Sequence, residues 1–131
     1  MPLFMLDTDA VSFALRGIGQ VASRLAHQKR TSLCLSAITV AELRFGADKR
    51  RSRRIHRAID AFLTGVDVFS FDMAAAAKFG TVAAVLAGSG VPIGQMDTLI
   101  AAHALSVGAT LVTNNEKHFS RVPGLKVENW T

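Results

Sequence analysis

Apolar residues in this chain follow two alternating rhythms, short uninterrupted runs and longer stretches at helical spacing. Leu3-Phe4-Met5-Leu6 is a continuous run, the pattern of a strand covered on both faces, and the polar Asp7-Thr8-Asp9 ends it. Val11, Leu15 and Ile18, then Val21 and Leu25, predict two short helices broken around Gly17 and Gly19. Leu33-Cys34-Leu35 reads as the second strand. Ser36 to Gly46 is helical in pattern, with Ile38, Leu43 and Phe45 apolar, and Gly46 is a place for the helix to end or bend. Ile55, Ile59, Phe62 and Leu63 continue the helical spacing, and Val66-Asp67-Val68-Phe69 is a third strand. Asp72 opens an alanine-rich helix that runs to about Ala87 and stops at Gly88-Ser89-Gly90. A loop, Val91-Pro92-Ile93-Gly94, leads to a helix from Asp97 to Gly108. Thr110-Leu111-Val112 is a fourth strand, followed by the polar Thr113-Asn114-Asn115-Glu116, and Leu125-Lys126-Val127 closes as the last.

Strands that alternate with helices of ten or more residues imply βαβ units, a parallel sheet and helices on both of its faces. The expected fold is α/β in three layers, with residues 1–131 as a single domain, since no repeat, linker or low-complexity tract interrupts the pattern. A chain of 131 residues, half of them apolar, is too hydrophobic for disorder and large enough to bury a core. No apolar run is long enough to span a bilayer, and the start lacks a basic stretch of the kind that precedes a secretory signal. The one cysteine, Cys34, has no partner for an internal disulfide and reads as a small buried hydrophobe. A cytoplasmic setting is the expectation.

Charge changes the picture more. The net charge is +5, yet residues 44–57 alone hold seven basic residues against Asp48, a net of +6, which leaves −1 for everything else. A basic segment on an otherwise neutral chain points to a polyanion partner, or to a solvated helix face. The acids have their own pattern. In an open parallel sheet, ligands bind beyond the carboxyl ends of the strands, so polar residues that follow strands are the ones to examine. Asp7 and Asp9 follow the first strand, Glu42 lies in the helix after the second, Asp97 heads a helix, and Thr113 to Glu116 follow the fourth strand. Carboxylates gathered on one rim repel one another, and a divalent cation relieves that conflict. Oxygen ligands favour Mg²⁺ or Mn²⁺, and with them metal-assisted phosphodiester hydrolysis.

Each acid also has a purely structural reading. Thr39-x-x-Glu42 has the form of a capping box, Asp97 and Asp72 have the form of helix N-caps, and Asp7 has the form of an Asx turn. His103, on an apolar helix, reads as a packed core histidine. Lys117 and His118 read as surface residues, and Trp130 as an anchor for the tail.

Taken together, Met5-Leu6-Asp7-Thr8-Asp9, Ser36-Ala37-Ile38-Thr39-Val40-Ala41-Glu42-Leu43-Arg44-Phe45-Gly46, Gly94-Gln95-Met96-Asp97-Thr98-Leu99-Ile100-Ala101-Ala102-His103-Ala104, Thr113-Asn114-Asn115 and Gly124-Leu125-Lys126-Val127-Glu128-Asn129-Trp130 resemble the PIN-domain toxins of the VapC group. The resemblance runs from the first strand to the C-terminus. It implies a three-layer α/β/α PIN domain with a central parallel sheet of about five strands. It also implies a metal-dependent endoribonuclease, the toxin of a type II toxin–antitoxin pair. Asp7, Glu42 and Asp97 match the three acids that the family uses to hold Mg²⁺ or Mn²⁺. Two departures stand out. The usual fourth acid is replaced by Thr113-Asn114-Asn115, with Glu116 as a substitute, and Asp9 stands where the group commonly has Asn. The arrangement expected from these departures is one metal held firmly and a second arriving with substrate phosphate.

The resemblance further implies a VapB-type antitoxin that covers the acidic site, a homodimer, and a structured RNA substrate, commonly a tRNA. Arg50, Arg51, Arg53 and Arg54 are the residues expected to meet RNA. Two other functions fit parts of the sequence. Asp7-Thr8-Asp9-Ala10-Val11 has the form of the haloacid-dehalogenase phosphatase motif, with Asp7 as nucleophile, though the later paired acids of that family are missing. A PIN-fold binding module without cleavage activity is the other.

Overall fold

The computed structural model describes residues 2–131. Five strands form one sheet: β1 (Phe4–Leu6), β2 (Leu33–Ser36), β3 (Asp67–Phe69), β4 (Thr110–Val112) and β5 (Val127–Glu128). Their order across the sheet is β3-β2-β1-β4-β5, and every pairing is parallel. Phe4 stands opposite both Leu33 and Thr110, so the first strand made is the middle of the sheet. The chain builds outward from β1 to β3 on one side, then crosses back to place β4 on the other. The gap between those two directions is where such sheets bind ligands.

The helices are α1 (Thr8–Arg16), α2 (Val21–Ala26), α3 (Ala37–Lys49), α4 (Arg53–Leu63), α5 (Met73–Ser89), α6 (Gln95–Val107) and α7 (Glu116–Phe119), with a turn of 3₁₀ helix at Arg30–Ser32. Alternation along the strands divides the core into two. Met5, Cys34 and Leu111 face α5, α6 and α7, where they meet Leu86, Ile100 and Phe119. Leu6, Leu33, Leu35 and Val112 face the other way, toward Val11, Val21, Leu43 and Ile59 from α1 to α4. Cys34 is fully buried, and burial pushes its thiol up to about 12, which leaves it an inert hydrophobe. Trp130 is the anchor expected of it. Its ring is buried against Phe4 at 5.1 Å between centroids, and Arg24 lies over it at 4.9 Å. The tail passes so close to Gly19 that a Cβ there would stand 2.9 Å from the Thr131 Cα.

Several boundaries differ from the sequence reading. The last strand is Val127–Glu128, and Leu125 and Lys126 lie before it. Leu3 and Val66 likewise precede their strands. Gly46 does not end its helix: α3 runs on to Lys49. The basic stretch is not one continuous helix either. It breaks at Arg50 to Ser52, where Arg51 takes a left-handed conformation with φ 51° and Ser52 caps α4 by accepting from the Ile55 N–H at 3.1 Å. The helix expected to begin at Asp97 begins at Gln95, because Gly94, with φ 92°, supplies the turn that starts it.

Candidate active site

The C-terminal ends of β1, β2 and β4 open on one rim of the sheet. Helix α6 leads into β4, so its first turn stands at the same rim. A cleft of about 210 Å³ lies there, lined by Asp7, Thr8, Asp9, Glu42, Asp97, Asn115 and Phe119. Acids far apart in sequence are thus brought to one cavity by topology alone.

Asp7 is both cap and rim residue. It is the N-cap of α1 rather than an Asx-turn residue, and its Oδ1 accepts from the Ala10 N–H at 2.8 Å. It is 4% exposed, and its own N–H donates to the Val112 carbonyl across the β1–β4 junction at 3.0 Å. Burial raises its pKa from 3.8 to about 6; Asp9 and Asp97 push the same way, while hydrogen bonds from Thr113 and Ala10 oppose the rise.

Glu42 is not part of a capping box. Ser36 caps α3, accepting from the Ile38 N–H at 3.1 Å, which leaves Glu42 in the middle of the helix and Thr39 Oγ1 buried without a partner among the described residues. The carboxylate of Glu42 instead accepts from the Thr8 hydroxyl at 2.5 Å, 34 residues away. Asp97 is not a cap either, because Gly94 holds that position. Its Oδ2 accepts from His118 Nε2 at 2.9 Å. Burial raises the pKa of Asp97 and Asp9 adds to the rise, against the pull of His118. None of Asp7, Asp9, Glu42 and Asp97 pairs with a lysine or arginine among the described residues.

Thr113 is buried beside Asp7 and accepts from the Asn115 N–H at 2.9 Å. Asn115 lines the cleft, whereas Glu116 opens α7 on the exposed side and does not. Asp72 caps α5 as expected, accepting from the Ala75 N–H at 3.0 Å. His103 is the packed core histidine that its helix suggested. It is buried, with Nδ1 2.7 Å from the Ser36 hydroxyl, and desolvation lowers its pKa. Lys117 is exposed, as its sequence context suggested, but His118 is not a surface residue and is the one that sequence reasoning missed. It is half-buried on α7 and reaches both Asp97 and the Ile93 carbonyl. The available signal was its place one helical turn after the polar loop that follows β4.

Hard oxygen donors without cationic partners suit Mg²⁺ or Mn²⁺. Among the described residues the acids do not close into a preformed set of three ligands. Mg²⁺ keeps several of its waters, so an acid of the cleft can serve it through a bound water as well as directly.

A second depression, a groove of about 610 Å³, adjoins the cleft and shares Thr8 and Glu42 with it. Its walls are α1, α3 and α4, with Arg16, Arg50 and Arg54 on an otherwise largely apolar lining. Arg51 and Arg53 are exposed outside it. Arg44 is occupied elsewhere, donating to Asp60 at 2.5 Å and to His56 Nδ1 at 3.0 Å.

Comparison with known proteins gives a consistent picture. The family model of the PIN domain matches residues 4–125. The chain is 37% identical over 129 residues to the tRNA(fMet)-specific endonuclease VapC of Shigella flexneri, covering 98% of each chain. It is 40% identical to the ribonuclease VapC2 of Haemophilus influenzae, covering 97% of each. Among solved structures, the DNA-bound VapBC of Salmonella typhimurium superposes with a TM-score of 0.90 at 36% identity, over the full length of both chains.

Proposed function

Since the chain belongs to the PIN-domain family, and within it to the VapC ribonuclease toxins, we propose that it cleaves phosphodiester bonds of a tRNA in a reaction that depends on Mg²⁺ or Mn²⁺. The observation that carries the metal is the cleft itself: four carboxylates from three parts of the chain share it, with no lysine or arginine paired to them among the described residues and a histidine beside Asp97 alone. The tRNA rests on the relatives, one of which is a tRNA(fMet)-specific endonuclease. A VapB-type antitoxin is the proposed partner, because the superposed structures are VapBC complexes. The proposed setting is the cytoplasm. Exposed apolar side chains at Val68, Met73 and Val85 support the homodimer expected for the group.

Asp7, Glu42 and Asp97 would hold the ion. When bound, it supplies Lewis-acid polarisation of the phosphate and charge for the transition state. The chain's own residues do the rest. Thr8 holds the Glu42 carboxylate through Oε1, and Ala10 and Thr113 hold Asp7. The Asn115 amide on the rim is placed to orient a phosphate oxygen or a water. Arg50 and Arg54 lie along the groove that leads to Glu42, where they can take the RNA backbone on either side of the cut. A single-stranded loop suits so narrow a cleft better than a paired helix, because its backbone can be drawn in alone.

Asp7→Asn tests this directly. It keeps the cap acceptor and removes the charge, so tRNA cleavage with Mg²⁺ or Mn²⁺ should fall roughly 10²–10³-fold, the scale of losing one group that stabilises transition-state charge. Chelation of divalent ions should silence the unaltered protein. Cleavage that continues in EDTA, or in the Asn variant, would remove the metal reading.

A further inference from the structure

Among the three acids proposed to hold the ion, Asp97 has the least obvious support. Asp7 is fixed by a backbone amide of its own helix, and Glu42 by the hydroxyl of Thr8. Asp97 lies in the first turn of α6, but the capping position belongs to a glycine, and no amide of the helix takes its side chain. Among the described residues its one hydrogen-bond partner is His118.

The geometry around His118 determines its proton. Nε2 lies 2.7 Å from the Ile93 carbonyl and 2.9 Å from Asp97 Oδ2. A carbonyl oxygen only accepts, so Nε2 must carry hydrogen, which it shares between the two oxygens. The ring is held in that direction by its neighbour. Phe119 is buried in the core on α7, and the imidazole meets it edge to face at 5.3 Å and 88°. Ile93 is also buried, on the segment that leads into α6. One N–H therefore ties α7 to the start of α6 and fixes one oxygen of Asp97, leaving Oδ1 without a partner among the described residues.

From this we infer that His118 is the positioning residue for Asp97. It orients the carboxylate through Oδ2 so that Oδ1 would be left to serve the ion, and it adds a polar contact to the part that α7 already has in the site through Phe119. The inference rests on the reading of the cleft as a metal site. Residues behind metal-ligating carboxylates commonly control affinity in this way, and their loss typically costs about 10–100-fold in metal binding or activity.

The test compares three variants with the unaltered protein by calorimetric titration with Mn²⁺ and by tRNA cleavage, with far-UV circular dichroism to show that each is folded. His118→Gln places an amide N–H near the position of Nε2 and can serve both acceptors. It should bind Mn²⁺ and cleave within about threefold of the unaltered protein. His118→Ala and His118→Phe should each bind Mn²⁺ about 10–100-fold more weakly. The Phe variant keeps a ring against Phe119 and so separates the lost N–H from lost packing. Phe-substituted protein that binds Mn²⁺ as tightly as the original overturns the inference. So does a Gln variant as weak as Ala, which would make the imidazole itself the required group. If the unaltered protein binds no Mn²⁺, the metal reading of the cleft falls and this role falls with it. If the unaltered protein binds and all three variants match it, only the role of His118 falls.

Discussion

Asp7 shows what a buried acid costs when nothing neutralises it. Its pKa in the folded, metal-free protein is about 6, against 3.8 for an ordinary aspartate. Between those values the folded chain holds a proton that the unfolded chain has released. The group's contribution to stability is therefore complete below about pH 4 and is lost as the pH rises through 6. Asp7→Asn removes that loss while preserving the bond from Ala10. Without divalent ions, the variant should be more stable than the original by about 1–3 kcal/mol at pH 8 and equal to it near pH 4, measured by urea unfolding. Saturating Mn²⁺ should stabilise the original and not the variant, reversing the order. A variant that gains nothing at pH 8 would show that Asp7 is not strained by its burial. This residue was legible in the sequence as an acid after a strand. What the sequence concealed was its double duty, because an Asx turn and an N-cap differ only in what the following residues do.

At the scale of elements, the strands and the alanine-rich helix were readable because a buried strand is a short apolar run and a helix has a period. Starts and stops were harder. Thr39-x-x-Glu42 has the right spacing for a capping box, but Ser36, three residues earlier, already caps α3, and a helix has one start. Gly94 displaced Asp97 for the same reason. The break at Arg51 was hidden inside a run of basic residues, although Ser52 three positions before Ile55 is the cap that marks it. That break sorts the arginines. Arg50 and Arg54 line the groove, whereas Arg51 and Arg53 do not. Replacing Arg50 and Arg54 together by Gln should weaken tRNA binding and flatten its dependence on salt, each lost phosphate contact lowering the slope by up to about 0.9. The pair Arg51→Gln and Arg53→Gln should do less. Equal effects from both pairs, in filter binding across a salt series, would mean that the segment acts as diffuse charge. Because Arg51 has a left-handed backbone, Arg51→Gly should leave stability unchanged or raise it by up to about 1 kcal/mol.

For the whole molecule, the core between the sheet and α1 to α4 depends on the C-terminal tail. Trp130 closes the layer of α1 to α4, with its ring on Phe4 and its Nε1 donating to Glu128 at 3.0 Å. Trp130→Ala should destabilise the protein by about 3–5 kcal/mol, as large-to-small changes in cores do, and a thermal melt would measure it. The site itself was legible only in part. Its acids could be named from their places after strands, but His118 could not, since nothing in a lone histidine 21 residues from Asp97 says that the two meet. Long-range pairs of this kind are set by topology, and topology is the least local property of a chain.

The sheet order has a consequence for synthesis. β1 precedes the other four strands in the chain, yet its pairing is completed only when residues 110–112 arrive to take its other edge and the Val112 carbonyl receives the N–H of Asp7, with β5 joining β4 afterwards. A nascent chain carries Asp7 and Glu42 long before it carries the strand that seats one of them. The acidic cleft therefore comes together only after residues 110–119 have been made, since the Val112 carbonyl seats Asp7 and Asn115 and Phe119 complete the lining.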